Sequence, residues 1–97
     1  MHFNFDWDKQ KAKSNLQKHD VSFERAATIF LDPSMLALYD DEHSDDEERW
    51  ITVGLDNRGL LLAVCHTFKL ESDRTALIRI FSARKATSAE AAQYREL

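Results

Sequence analysis

Three strand-forming segments follow one another in the second half of the chain, at residues 49–55, 60–68 and 75–82. The first two are separated by Asp56-Asn57-Arg58-Gly59, a composition that favours a tight hairpin turn. A second turn follows at residues 69–73. Short connections of this kind join antiparallel neighbours. The sequence therefore predicts a mainly antiparallel sheet in this half of the chain.

Two helices are predicted before these strands and one after them. Apolar residues at 23, 26, 27 and 30 lie on one face of a helix that begins after Ser22 and ends at Asp32-Pro33. Thr87-Ser88-Ala89-Glu90 has the form of a capping box, which predicts a last helix over residues 88–96. The other predicted elements are a strand at 3–7, a helix at 8–18 and a strand at 35–39. The order β-α-α-β-β-β-β-α predicts an α+β fold in one domain over residues 1–97.

The composition excludes several classes of protein. A chain of 97 residues with 43% hydrophobic and 31% charged residues is expected to form one compact domain. The longest apolar run, residues 60–65, is too short to cross a bilayer, and no signal peptide is visible at the start. The single Cys65 excludes an internal disulfide, so we expect a reducing cytoplasm. Phosphate-binding glycine loops and a G-x-S-x-G nucleophile motif are both missing.

The net charge of −4 is unevenly distributed along the chain. Residues 1–19 carry two acids and four lysines, a balance of +2. Residues 20–48 carry ten acids and one arginine, a balance of −9, and residues 49–97 carry eight bases and five acids, a balance of +3. A phosphate responds to the local potential, so the acidic total does not exclude nucleic-acid binding by the basic segments.

The central hairpin gives a geometric expectation. With Asn57 and Arg58 as a two-residue loop, Arg49 falls directly opposite His66 on one face of the sheet. The His66 imidazole and the Arg49 guanidinium would then lie side by side at the end of a row of apolar cross-strand pairs. A bulge or a three-residue loop would shift the register and separate them.

Further cations could join this pair. Arg79 interrupts an otherwise apolar strand, and Arg84 and Lys85 precede the capped helix, whose N-terminus attracts anions. We hypothesise that these side chains converge with His66 and Arg49 on a phosphate. RNA can be cut without a metal when its own 2′-OH attacks the phosphorus, a reaction that requires proton transfer and cations around the phosphoryl oxygens.

Structural interpretations of the same residues remain open. A strand histidine such as His66 is more often a packed or half-exposed residue than a catalyst. Arg49 could pair with Glu47 or Glu48, and Arg79 could form a structural ion pair. His43 lies among carboxylates, which indicates a metal site only weakly because no second histidine lies at ligand spacing. We therefore expect no metal site and no cofactor.

The ordered landmarks of the chain resemble the family of BrnT-type toxins, over nearly its whole length. The matching residues, in chain order, are Phe5-Asp6-Trp7-Asp8, Lys11, Asn15, Lys18-His19, Val21-Ser22-Phe23-Glu24, Ala26-Ala27, His43-Ser44, Glu48-Arg49, Gly54, His66-Thr67, residues 78–87, Glu90 and Tyr94.

The resemblance implies a RelE-like fold and a metal-independent ribonuclease that blocks translation. It also implies neutralisation by a BrnA-type ribbon-helix-helix antitoxin, with operator DNA bound only indirectly through that partner, and a homodimer or a heterotetramer with the antitoxin. The residues that it implies as catalytic are Arg49, His66, Arg79 and Arg84, and those implied as RNA contacts are Lys18, Lys85 and Tyr94. The alternative is an inactive relative that binds the antitoxin and acts as a co-repressor.

Overall fold

The computed structural model describes residues 1–96, so Leu97, the end of the expected domain, lies outside the described residues. The elements are β1 (His2–Trp7), α1 (Lys9–His19), α2 (Phe23–Ala27), a 3₁₀ turn (Thr28–Leu31), β2 (Leu36–Tyr39), a second 3₁₀ turn (Asp41–His43), β3 (Trp50–Leu55), β4 (Leu61–Leu70), β5 (Thr75–Lys85) and α3 (Ser88–Arg95). Asp8, Ser22 and Thr87 cap the three helices, each accepting a backbone N–H, and Thr87 with Glu90 forms the expected capping box.

The five strands form one sheet in the order β1-β5-β4-β3-β2. Each pair among β2, β3, β4 and β5 is antiparallel, and β1 alone pairs parallel, with β5. The parallel pair requires a long crossover, which the chain between β1 and β5 provides. The predicted α+β class and the mainly antiparallel sheet are confirmed.

The core lies on one face of the sheet, which we call the packed face because α2 and the first 3₁₀ turn cover it. Its centre is an apolar cluster that contains Phe23, Ile29, Leu62, Ile78 and Ile80, each at most 1% exposed. Phe3, Phe5 and Trp7 alternate along β1 and extend the cluster to the sheet edge. The opposite surface, the open face, carries Ile51, Ala63, Cys65, Arg79 and Arg84, and α3 packs at its β3 end.

The loop between β3 and β4 overturns the expected hairpin register. The Asp56 N–H donates to the Leu60 carbonyl at 2.8 Å, so the loop has three residues, and Gly59 closes it with φ 81°. The extra residue places Trp50, rather than Arg49, opposite His66. Because successive side chains of a strand alternate, Arg49 and His66 lie on opposite faces, and the prediction that they are neighbours is wrong.

Asp56 fixes this loop. Its Oδ1 accepts the amide protons of Arg58 and Leu60 at 2.8 and 2.9 Å, and its Oδ2 accepts two hydrogen bonds from the Arg25 guanidinium at 3.1 and 2.8 Å. Burial alone would raise the pKa of Asp56, but these hydrogen bonds outweigh it and lower the pKa. The charged carboxylate therefore ties the register-setting loop to α2.

A β-bulge lies beside the hairpin. Cys65 pairs with Ser82 on β5, whereas the next residue, His66, pairs with Ile80, so Phe81 is an extra residue on that strand. A bulge redirects side chains locally. Arg79 thereby keeps its place on the open face while Arg84, beyond the bulge, occupies the same face.

No helix within residues 1–96 has the length and apolar character needed to cross a bilayer.

Candidate functional site

The open face contains a cavity of about 280 Å³ between the strands and the loop that joins β2 to β3. Its lining residues are Asp40, His43, Arg49, Ile51, Ala63, Cys65, Ser82 and Arg84. Two guanidinium groups and an imidazole thus face one solvent-accessible space. Arg49 lies at the end of the loop of residues 40–49, which we call the acidic loop. Arg84 lies on β5, and His43 lies in the second 3₁₀ turn.

Arg49 packs against an aromatic ring. Its guanidinium carbon lies 4.2 Å from the centroid of Phe81, and Lys11 Nζ lies 5.0 Å from the same centroid. Its ion pair with Glu47 is long, at 3.8 Å, and half-exposed. Arg49 Nε is buried and has no hydrogen-bond partner among residues 1–96. A buried N–H without a partner is costly, so an acceptor that reached this group would lower that cost.

Arg84 is held in a bidentate ion pair. Its Nη1 and Nη2 donate to the two carboxylate oxygens of Glu90 at 2.7 and 3.0 Å. These hydrogen bonds raise the pKa of Arg84 and lower that of Glu90. Glu90 also accepts the Thr87 N–H as part of the capping box, so Arg84 is tied to the beginning of α3. The pairing fixes Arg84 at the cavity and offsets its charge.

Arg79 forms an ion pair with Asp6, its register partner on β1. Both side chains are about half-exposed on the open face, outside the lining of the cavity. The structure thus places Arg49 and Arg84 together and leaves Arg79 on the neighbouring part of the same face. The structural ion pair considered for Arg79 in the sequence is present.

His66 lies on the packed face and does not join these cations. It is 3% exposed, its Nδ1 lies 3.0 Å from the Thr67 carbonyl and its Nε2 lies 2.7 Å from the Thr52 hydroxyl. The carbonyl can only accept, so Nδ1 carries the proton and Nε2 accepts from Thr52. The Phe30 ring packs edge-on at 5.1 Å, and burial lowers the pKa of His66. The expected convergence of His66 with Arg49 on one phosphate is therefore wrong.

His43, rather than His66, lines the cavity with Arg49 and Arg84. Its Nδ1 lies 3.0 Å from the Asp40 carboxylate, Asp40 is 9% exposed, and the imidazole side chain is 63% exposed. In the sequence, His43 was a weak candidate metal ligand and, with Ser44, one of the landmarks shared with the BrnT-type family, but no catalytic role was assigned to it. Asp40-x-x-His43 at the start of a loop was the available signal, because that spacing allows a carboxylate to orient an imidazole within one turn. Within residues 1–96, no three His, Cys, Asp or Glu side chains are grouped as metal ligands.

The three residues expected to contact RNA are dispersed. Lys18 is exposed in the last turn of α1, and Lys85 is exposed at the end of β5, in register with the packed-face residue Leu62. The Tyr94 hydroxyl donates to Asp32 Oδ2 at 2.6 Å, which raises the pKa of Tyr94. Lys18, Lys85 and Tyr94 are therefore carried by three different elements, and none of them lines the cavity.

The cavity also contains the thiol of Cys65, which is weakly reactive. Burial is the main cause that raises the pKa of the Cys65 thiol, and the nearby Asp40 carboxylate adds to it. The thiol is therefore protonated near neutral pH and is a poor nucleophile. The cavity therefore presents guanidinium groups and an imidazole, and no thiolate near neutral pH.

Comparisons with known proteins identify a similar family and a similar fold. A family model described as the ribonuclease toxin, BrnT, of type II toxin–antitoxin systems matches residues 7–90. The crystal structure of the Brucella abortus ribonuclease toxin, BrnT, superposes with a TM-score of 0.59 at 21% sequence identity. That similarity covers 91% of this chain and 100% of the Brucella chain, and it shows a shared fold. No protein of curated function matches the chain significantly.

Proposed function

The chain belongs to the BrnT family of ribonuclease toxins of type II toxin–antitoxin systems, and we propose that it cuts RNA at the open-face cavity without a metal ion. In this mechanism the 2′-OH of the RNA attacks the adjacent phosphorus. The products are a 2′,3′-cyclic phosphate and a free 5′-OH. The RNA supplies its own nucleophile, so the protein must hold the phosphate, stabilise its growing charge and move protons.

The observation that carries the proposal is the presence of two guanidinium groups, those of Arg49 and Arg84, in the lining of one cavity. Guanidinium groups suit phosphoryl oxygens, and the Nε of Arg49 has no hydrogen-bond partner among residues 1–96. Phe81 holds Arg49 in place from one side. A phosphate that accepted from Arg49 would remove the cost of the missing hydrogen bond, which favours anion binding at this position.

The remaining cations of the open face have supporting roles. Lys11, beside Phe81, would attract the RNA backbone towards the cavity. Arg79 would contact a phosphate next to the scissile one, in competition with Asp6. Glu90 keeps Arg84 rigid, which lowers the cost of organising the site when RNA binds. We keep Lys18 and Lys85 as outlying RNA contacts and assign Tyr94 to packing through Asp32.

The family implies a protein antitoxin as partner. We propose that this partner is a BrnA-type ribbon-helix-helix protein that presents acidic side chains to the open face, so that it blocks the RNA site directly. Operator DNA would then be bound only through the antitoxin. We further propose a RelE-like architecture, action on RNA in the cytoplasm, and inhibition of translation as the result of cleavage.

The test is cleavage of RNA by the purified protein in the presence of a chelator. Loss of one preorganised charge-stabilising group commonly costs about 10²–10³-fold in rate, so we expect losses of that size in Arg49→Ala and Arg84→Ala. Arg58→Ala is the matched control, because Arg58 is exposed in the β3–β4 loop on another part of the molecule. Equal rates in all four proteins would contradict the assignment of the site.

A specific observation supports the alternative of an inactive, antitoxin-binding relative. Two of the open-face arginines, Arg79 and Arg84, already have carboxylate partners in Asp6 and Glu90. The replacements Asp6→Asn and Glu90→Gln distinguish the two functions. An RNA-cleaving site would change its rate when these partners are removed, whereas a binding-only protein would remain inactive and still bind its antitoxin.

A further inference from the structure

The cavity contains a second feature that the family match does not assign, a histidine oriented by a buried carboxylate. His43 Nδ1 lies 3.0 and 3.2 Å from the two oxygens of Asp40. This contact leaves Nε2 as the ring nitrogen at the exposed end of a side chain that is 63% exposed. A fixed tautomer with a free, solvent-facing Nε2 is the arrangement that proton transfer requires.

The loop that carries His43 is tied to the site at both ends. The Ser44 hydroxyl donates to the Asp40 carbonyl and accepts the Arg49 N–H at 3.0 Å. The Asp40 N–H donates to the Arg49 carbonyl at 2.9 Å. Residues 40 and 49 therefore close the acidic loop into one unit, and a shift of His43 relative to Arg49 would break these hydrogen bonds.

His43 and Arg49 share two adjacent hollows. Both line the open-face cavity with Arg84, and both line a smaller hollow of about 200 Å³ formed by the acidic loop. A phosphate held by Arg49 would thus lie next to the imidazole. The charged and titratable groups that face His43 are Asp40, Glu42, Asp45, Asp46 and Glu47 from its own loop and Arg49, Cys65 and Arg84 from the strands and the end of the loop.

We propose that His43 is the catalytic base of the RNA cleavage and that Asp40 is its positioning residue; this rests on the proposed function. His43 Nε2 takes the proton of the 2′-OH as the bond between the 2′ oxygen and phosphorus forms. The bond from phosphorus to the 5′ oxygen breaks, and that oxygen leaves with a proton drawn from solvent. The imidazolium then returns its own proton to solvent, which restores the enzyme.

His66, the histidine of the central strands, does not meet these requirements. Both ring nitrogens of His66 are hydrogen-bonded within the packed face, which leaves it no free position for a substrate proton. Arginine remains protonated in proteins and is a poor proton donor or acceptor. The assignment therefore gives the site the proton-transfer group that its guanidinium groups cannot supply.

The experiment compares the wild-type protein with His43→Ala, Asp40→Asn and His19→Ala on one RNA across pH 5.5–8.5. His19 is an exposed histidine in the last turn of α1 and provides the matched control. We expect kcat/KM of the wild type to rise with pH through the range in which imidazoles titrate. His43→Ala should lose this rise and should cut RNA about 10²–10⁴-fold more slowly than the wild type. Added free imidazole should restore part of the His43→Ala rate, and Asp40→Asn should lower kcat with little change in KM.

The outcomes separate the two proposals. In one outcome the wild type cuts RNA, Arg49→Ala is impaired, and folded His43→Ala keeps the wild-type rate and pH profile. The assignment of His43 is then wrong, and the proposed function stands. If the wild type leaves RNA intact, both are overturned. Circular dichroism checks the fold of each variant, and rescue by imidazole excludes a purely structural effect of the His43 replacement, because a misplaced loop would not respond to it.

Discussion

The guanidinium of Arg49 stacks on the ring of Phe81, with the guanidinium carbon 4.2 Å from the ring centroid. Phe81 is the extra residue of the β5 bulge, so an irregularity of the sheet provides the surface on which Arg49 rests. The bulge thus serves the candidate site directly, because its extra residue provides the aromatic ring against which Arg49 packs.

Replacement of Phe81 by leucine should loosen Arg49 without opening the core. A cation–π contact contributes about 0.5–2 kcal/mol, which corresponds to a rate lower by about 2–30-fold if Arg49 stabilises the reacting phosphate. The measurement is the cleavage rate of Phe81→Leu. Phe68→Leu is the control, since Phe68 is an aromatic residue of β4 on the packed face, where it lines a separate cavity with His66. Similar losses in both variants would show that the effect is one of general packing.

The buried neutral His66 should make stability depend on pH. Burial lowers its pKa below the ordinary value of 6.5, so the unfolded chain takes up a proton before the folded protein does. The free energy of unfolding should therefore fall as pH decreases below about 6.5, until the folded-state pKa is passed. Denaturant titrations at pH 7.5 and pH 5.5 measure the difference. His66→Gln should show a smaller difference, and a variant with the full wild-type dependence would contradict this account.

The acidic loop should weaken RNA binding. Asp45 and Asp46 line the small hollow beside His43 and Arg49, where their charges repel an approaching phosphate. Each such charge contributes about 1 kcal/mol or less at the surface, so the double replacement by serine should tighten binding by a few-fold at low salt. Fluorescence anisotropy with a 2′-O-methyl RNA measures binding without cleavage. Replacing Glu71 and Asp73, in the β4–β5 turn, by serine is the charge-matched control; weaker binding by the loop variant would show a direct contribution of the loop.

The sequence predicted the elements because their signals are local. Ser22, Asp32-Pro33 and the capping box at Thr87 each act within a few residues, and the structure has helices where these residues place them. The register of the central hairpin depends on one residue more or less in the loop. Asp56-Asn57-Arg58-Gly59 is compatible with both two-residue and three-residue loops, and the positive φ of Gly59 with the carboxylate of Asp56 decides for the longer one.

The candidate site was only partly visible in the sequence for the same reason. Arg84 and Arg79 stood out as cations in or beside an apolar strand, and both lie on the open face. Their partners, Glu90 and Asp6, depend on strand register and helix packing, which no local pattern encodes. The one-residue shift moved His66 to the packed face, and the tertiary closure of the loop by Ser44 brought His43 to the cavity instead.

The most direct measurement uses one RNA in two forms, all-ribose and with 2′-deoxyribose throughout, each incubated with the purified protein and a chelator. The account predicts that only the ribose form is cut, that the 5′ fragment ends in a 2′,3′-cyclic phosphate and that Arg49→Ala cuts about 10²–10³-fold more slowly. Cleavage of the deoxyribose form, loss of all activity with the chelator, or an Arg49→Ala rate equal to that of the wild type would contradict it.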